Sequence, residues 1–383
     1  MKRRSFLKKA AAGLALGGVA APAIAQAPAA TSAQPTITWR MASSFPKSLD
    51  TLFGSADELV KRVAAATDNK FQIRLFAAGE IVPGLQVLDA VQNATVECGH
   101  TAMYYYIGKN PAFAFDTAMG FGMNARQQAA WMYYGGGREL HNEFFKTYNI
   151  LGIPAGNTGA QMGGWYRKEI KTVADLKGLK MRIGGLAGQI LAKLGVVATQ
   201  IAGGEIYQAL ERGTIDAAEW VGPYDDEKLG FNKVAKYYYY PGWWEGGPQL
   251  SVIVNLAKWN ELPKHYQEVL EAACAEQNVR MQAKYDAKNP EALKRLVAGG
   301  AQLRPFSPAV MDACQKAALE LYGEMSAKSP EFKKIYEPWK KFRDDQYLWW
   351  RVAENTFDSF SGRTSSGASK GAPAAKKAAA KKG

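Results

Sequence analysis

The chain has 383 residues, 47% of them hydrophobic and 22% charged, with a formal net charge of +13. That charge is not a nucleic-acid signal: five cations lie in the first nine residues and six follow Gly362, with no acid in either stretch, so the body between them carries only about +2. Cys98, Cys274 and Cys314 are too few and too scattered for a disulfide framework or a metal site, and His100, His141 and His265 are not spaced for zinc.

Residues 1–25 read as an export signal. Lys2, Arg3 and Arg4 precede Ser5-Phe6-Leu7-Lys8, an apolar run from Ala10 to Ala21 and the Ala23-Ile24-Ala25 cleavage signal, and the arginine pair with its neighbours matches the twin-arginine pattern. No later stretch is apolar for long enough to cross a bilayer, so a soluble protein outside the cytoplasmic membrane is expected. Its body exceeds one typical core, which predicts two lobes.

In chain order, TITWRMASS (36–44) alternates as a strand, and Leu52, Phe53, Ala56, Leu59, Val60 and Val63 then fall at helical spacing. FQIRLFAA (71–78), the helical LQVLDAVQN and ATVECGHT (94–101) complete a β-α-β-α-β order, which predicts a parallel sheet with helices on both faces. AAWMYYGGGRELHNEFFKTY (129–148) is helical around a glycine break, and strands are expected in 148–157 and within 237–255. LDAVQNATVECGHT (88–101) and YQALERGTIDAAEW (207–220) share one helix, turn and strand pattern. A unit used twice implies two similar lobes, with a ligand cleft where their strand ends face each other. Beyond Leu262 the pattern is helical; the first helix, 263–289, spans about 40 Å, a length that suits bracing two lobes or making a dimer contact.

Three short runs hold isolated polar groups. Gln161 lies in NTGAQMGGWYR, Arg182 in LKGLKMRIGG and Glu219 in the run ending AAEW, each within a stretch that reads as a strand. Arg182 falls at a strand end, ahead of a GGxxG turn and a helical run. An anion is expected there between the guanidinium and that helix's N-terminus, although Glu219 is equally placed to pair with Arg182 across the sheet.

With the export signal, two α/β lobes and the pair LKGLKMR and ALERGTIDAAEW, the chain resembles the solute-binding proteins of tripartite ATP-independent periplasmic (TRAP) transporters, in the branch that binds 2-oxo acids and lactate. The resemblance runs from about Ile37 to Phe360. It implies a two-lobed α/β periplasmic binding protein, class II-like, with an interlobe cleft and a long C-terminal helix. Lobe I would take 36–157 with part of 246–290, lobe II 158–245 with part of the C-terminal helices, and 260–360 would brace both; 362–383 reads as a disordered basic tail.

By the same resemblance Arg182 pairs with the substrate carboxylate, while Gln161, Glu219 and the backbone of Trp220 hold Na⁺ or Ca²⁺ bridged to the substrate. Such hard oxygen ligands suit either ion, and a guanidinium offers a carboxylate two parallel donors. The family's aromatic and polar wall maps onto Phe45, Tyr104, Tyr105, Asn157 and Gln249, where core packing explains the aromatics equally well. The implied function is capture of a small 2-oxo or 2-hydroxy monocarboxylate in the periplasm for membrane permease subunits, with no catalysis and with a homodimer through the long helix. The competing classes are an exported enzyme using Glu219 or His100 as a base, a binder of another organic acid, and a purely structural dimer.

Overall fold

Alternation in the first strand has a direct cause: Trp39 and Met41 of β1 (Ile37–Ser43) face a buried layer, whereas Thr38 and Arg40 do not. β1 pairs in parallel with β2 (Phe71–Phe76) on one side and β3 (Cys98–Thr101) on the other, joined through the helix Leu52–Ala66 and the short helix Val87–Gln92. The third strand is shorter than its sequence promises. Residues 94–97 instead form a turn, with Ala94 at φ +56°.

β4 (Ile150–Asn157) and β10 (Gln249–Asn255) complete this sheet in the order β2-β1-β3-β10-β4, and β10 runs antiparallel to both neighbours. The sheet is therefore mixed rather than wholly parallel. Between those two strands the chain builds a second sheet from β5 (Trp165–Tyr166), β6 (Lys180–Arg182), β7 (Val197–Thr199), β8 (Ala217–Ala218) and β9 (Tyr237–Tyr240). β11 (Gln302–Pro305), which the sequence reading missed, returns to its edge and gives the order β11-β9-β5-β8-β6-β7. The helix–turn–strand echo is real, since the helix Ile206–Glu211 leads into β8 as Val87–Gln92 leads into β3.

Two strands cross between the sheets, and their ends are stitched together. Gln249 is in register with Asn157. Asn157 donates to the Gly247 carbonyl (2.9 Å) and accepts from the Gly159 N–H (2.9 Å), while Thr158 N donates to the Pro248 carbonyl (3.2 Å).

The structure, a computed structural model, describes residues 34–365, and the body from Thr36 onward is one compact unit. The twin-arginine segment and the tail beyond Ser365 lie outside the described residues; up to Ser365 the chain is helical, in Glu354–Ser365. Among the described residues no helix is long and apolar enough to cross a membrane.

The long helix runs from Lys264 to Ala298, 35 residues, or about 52 Å. It continues through Asn289-Pro290, where the sequence reading ended it, although Pro290 removes a backbone hydrogen bond and crowds the preceding turn. The turns beyond it are held by buried Ala292 and Leu296 and by the Arg295–Glu227 pair (2.7 Å). Its first half packs on β4 and the helix Leu52–Ala66, and its second half meets the helix Pro223–Leu229. It therefore touches the layers of both sheets.

That junction is fastened by adjacent buried acids. Asp225 accepts from Thr51 Oγ1 and Tyr285 Oη (2.6 Å each), whereas Asp226 accepts from Trp165 Nε1 (3.0 Å), Tyr238 Oη (2.7 Å) and Val221 N (3.3 Å). Burial raises both carboxyls, Asp225 to about 6 and Asp226 to about 7. In the unfolded chain Asp226 titrates near 3.8, so between that value and about 7 the native state holds a proton the unfolded state lacks. The group's stabilising contribution is present at low pH and is lost as pH rises through about 7. Against Asp226→Asn, which cannot titrate there, the parent should lose several degrees of relative thermal midpoint between about pH 5 and about pH 8; an unchanging difference would refute the assignment.

Candidate functional site

The site grows from two parallel strand ends. β6 lies between β7 and β8, with Arg182 opposite Thr199 and Ala218, so Arg182 and the residue after β8, Glu219, emerge side by side. Glu219 N donates to the Arg182 carbonyl (3.2 Å), which fixes their separation. Glu219 thus lies just past its strand, and Gln161 sits in the loop after β4, not within strands as the sequence reading held.

Arg182 is only 1% exposed, and most of its donors are committed within the protein. Nε donates to the Ile201 carbonyl (3.1 Å), and Nη1 donates to the Glu219 carbonyl (2.8 Å) and pairs with Glu219 Oε1. The guanidinium also lies over the Trp220 ring, 5.1 Å from its centroid. Only Nη2 is buried without a partner. The pairing across the sheet that the sequence left open is therefore the one observed, and a two-donor fork toward an outside carboxylate is not what this arrangement presents.

Burial disfavours the charged guanidinium, but Glu219 together with Tyr105, Tyr104 and Glu245 offsets this, and the net effect raises Arg182. Burial likewise raises Glu219, against the opposing pull of Arg182 and the Gly184 N–H. That N–H donates to Glu219 Oε1 (3.0 Å), which leaves Oε2 without a partner.

The GG turn after Arg182 serves a different purpose from the expected helix N-terminus. A Cβ on Gly184 would lie 2.9 Å from Tyr104 Cε2, and one on Gly185, at φ +62°, 2.3 Å from Tyr104 Cδ2. The turn is bare because the Tyr104 ring lies on it. Tyr104 also lies beside Glu245, a carboxylate that sequence reasoning overlooked. Glu245 is 2% exposed, its carboxyl is raised well above the ordinary range by burial and by the nearby Glu219 charge, and its Oε2 has no partner. Its only signal in the sequence was a lone acid in the aromatic and glycine run WWEGGP.

Gln161 completes the set. Its N donates to the Glu245 carbonyl (3.0 Å), its carbonyl accepts from Gly242 N (2.9 Å), and its side-chain Oε1 is buried and unpartnered. Gln161 and Trp220 line a cavity of about 20 Å³ together with Phe45, Tyr104, Tyr105, Leu52 and Leu250. That volume is about one water, so the walls are nearly in contact.

Five of the sequence-designated residues therefore line the cavity, Gln161, Trp220, Phe45, Tyr104 and Tyr105, and Arg182 and Glu219 form the buried pair beside Trp220. Asn157 and Gln249 do not reach the cavity wall. Asn157 stitches the crossing strands, and Gln249 Nε2 donates to Asp116 Oδ1 (3.2 Å) and Ser251 Oγ (3.4 Å). Leu52 and Thr158 line the cavity without having been singled out.

The groups that an enzyme would need are arranged otherwise. His100 is fully buried, lies edge-on to Phe45 outside the cavity wall, and is lowered by burial to about 4. Ser251 Oγ donates to Asp116 Oδ2 (2.7 Å) while His141 Nδ1 lies 3.5 Å from Oδ1, so serine is bonded to the acid and not to the imidazole. The three cysteines are free and buried, and among the described residues no group of three or more His, Cys, Asp or Glu is placed to hold a metal. Any cation here would need amide and main-chain oxygens beside the two carboxylates.

Two α/β sheets joined by crossing strands, with a buried polar pocket against their facing ends, define a two-lobed solute-binding protein. The chain belongs to family 7 of the bacterial extracellular solute-binding proteins, whose profile matches residues 42–329. It is 54% identical over 360 residues to the monocarboxylate 2-oxoacid-binding periplasmic protein of Nostoc sp., covering 94% of this chain and 99% of that one. Among solved structures it is similar to a TRAP transporter solute-binding protein from Bordetella bronchiseptica RB50 (58% identity, TM-score 0.87, 88% of this chain and 100% of that one), a mixed-occupancy dimer with copurified calcium and picolinate in one active site and the other apo. It is also similar to a TRAP periplasmic solute-binding protein from Pseudoalteromonas atlantica with bound sodium and pyruvate (40% identity, TM-score 0.82, 84% and 98% covered).

The Tyr104 contact gives a stability test. Gly178, at φ +75°, meets nothing within 4 Å of its added Cβ, so Gly178→Ala carries only the backbone penalty. Gly185→Ala should be destabilised against urea by about 1–3 kcal/mol beyond that; equal losses would show that the ring does not need the bare turn.

Proposed function

We propose that this protein captures a small 2-oxo or 2-hydroxy monocarboxylate, of the pyruvate or lactate kind, together with Na⁺ or Ca²⁺, and delivers it to the membrane permease of a TRAP transporter. One observation carries the reading. The buried cluster leaves two donors without partners, Arg182 Nη2 and Trp220 Nε1, and three acceptors, Gln161 Oε1, Glu219 Oε2 and Glu245 Oε2. Buried polar groups need partners: the donors call for an anion and the acceptors for a cation.

The donor set fits a hard cation, being two carboxylates and an amide oxygen, to which the Trp220 carbonyl is added by family resemblance. Such an ion supplies a positive charge bridging the acceptors and the acid's oxygens. The chain's own residues do the rest. Arg182, immobilised by Ile201 and Glu219, orients the carboxylate through one remaining nitrogen. Leu52, Leu250, Val221 and the aromatics enclose a short apolar side chain and exclude water. Among the described residues no cation lines the cavity itself, and Arg182 is the one cation of the buried cluster beside it, which disfavours dicarboxylates. The relatives named with pyruvate, picolinate and 2-oxo acids support the same class.

Closure is read as hinge motion at the stitched crossings near Asn157 and Gln249, between lobe I (36–157) and lobe II (158–245). Export to the periplasm by the twin-arginine route rests on the Arg3-Arg4 signal. A homodimer is also part of the proposal, but on a different surface from the expected one. The long helix exposes few large apolar side chains, whereas Leu348, Trp349, Val352 and Phe357 near the C-terminus are 56–72% exposed.

Arg182→Lys should lose at least about 100-fold in pyruvate affinity by calorimetry with the fold retained by circular dichroism, because lysine cannot serve Ile201, Glu219 and the acid together; parental affinity would overturn the carboxylate role. In sedimentation, Leu348→Glu with Phe357→Glu should shift a parental dimer to monomer; a parent already monomeric at micromolar concentration would remove the dimer from the account.

A further inference from the structure

The amide of Gln161 is useful to a cation in only one of its two orientations, since its oxygen is a ligand and its NH₂ group is a repulsive neighbour. The backbone around it is fixed by the bonds to Glu245 and Gly242, so the rotation of the terminal amide decides which atom faces the site. What sets that rotation is the residue three positions earlier. Thr158 is 3% exposed, and its hydroxyl donates to the Gly159 carbonyl at 2.9 Å. With its proton committed there, Thr158 Oγ1 has only lone pairs to offer, and it accepts from Gln161 Nε2 at 3.3 Å. The reverse orientation would set the amide oxygen against an oxygen with no proton to give.

We infer that Thr158 is a positioning residue for cation binding: its hydroxyl, spent on Gly159, holds the Gln161 amide with Oε1 turned to the cation. It makes no ligand bond itself. Thr158 N is also bonded to the Pro248 carbonyl on the returning crossing strand, so the orienting hydroxyl is seated on the stitched crossing and not on a free loop. The inference rests on the reading of Gln161 as a cation ligand, and its test separates the two.

Calcium is titrated calorimetrically into cation-stripped protein at saturating pyruvate, for the parent, Thr158→Val, Thr158→Ser and Gln161→Ala, with thermal midpoints recorded without cation. Valine keeps the shape and removes the hydroxyl; serine keeps the hydroxyl and removes the methyl. Thr158→Val is expected to lose about 10-fold or more in calcium affinity, in the range typical of outer-shell partners, with Thr158→Ser close to the parent and cation-free midpoints for the two variants within a few degrees of it. Equal losses in valine and serine variants, or parental affinity in the valine variant while Gln161→Ala loses binding, would overturn the positioning role and leave the cation reading standing. Parental calcium affinity in Gln161→Ala would overturn the cation reading itself.

Discussion

A guanidinium and a carboxylate buried together at the ends of two adjacent strands constrain everything around them. Arg182 and Glu219 are 1% and 0% exposed, and breaking such a pair from one side costs about 3–5 kcal/mol. The fold meets that demand with backbone: carbonyls of Ile201 and Glu219 accept from the guanidinium, and the Gly184 N–H donates to the carboxylate. Once those bonds are made, one nitrogen and one oxygen of the pair remain for something else. The site's chemistry is set by that remainder.

The same economy of partners extends outward. Tyr104 lies between the bare turn after Arg182 and Glu245, the Glu245 carbonyl accepts from Gln161 N, and Gln161 is oriented by Thr158 beside the crossing strands. Asp226 ties the segment immediately after Trp220 to β5 and β9, and Asp225 ties it to Thr51 and Tyr285. A ligand held between the donors and the acceptors would therefore act on elements from both sheets at once, which is the condition for a ligand to select a closed form.

Much of this was legible in the residues. Alternation in 36–44, the helix period in 52–66 and the repeated helix–turn–strand unit place β1, its first crossover and β8 correctly, because burial of one face writes itself into spacing. The parallel register that sets Arg182 beside Glu219 follows from two short runs whose motif was recognisable. What failed depends on non-local partners. β10 is buried at all seven positions and gives no direction, so its antiparallel course was invisible. Pro290 marks a helix end by local rule and is overridden by packing on the helix Pro223–Leu229. Glu245 and Thr158 carry no pattern of their own; only the fold brings an acid from 242–247 and a hydroxyl from 158 against Gln161. Asn157 and Gln249 were assigned to the ligand by region, but their side chains are occupied by Gly247, Gly159, Asp116 and Ser251.

The central claim is that unpaired donors and unpaired acceptors in one buried cluster bind an acid and a cation as a unit. Titration of pyruvate into cation-stripped protein, repeated with calcium present, tests it most directly. Tight binding only when the cation is supplied is the result predicted. Equal pyruvate affinity in its presence and absence would contradict it.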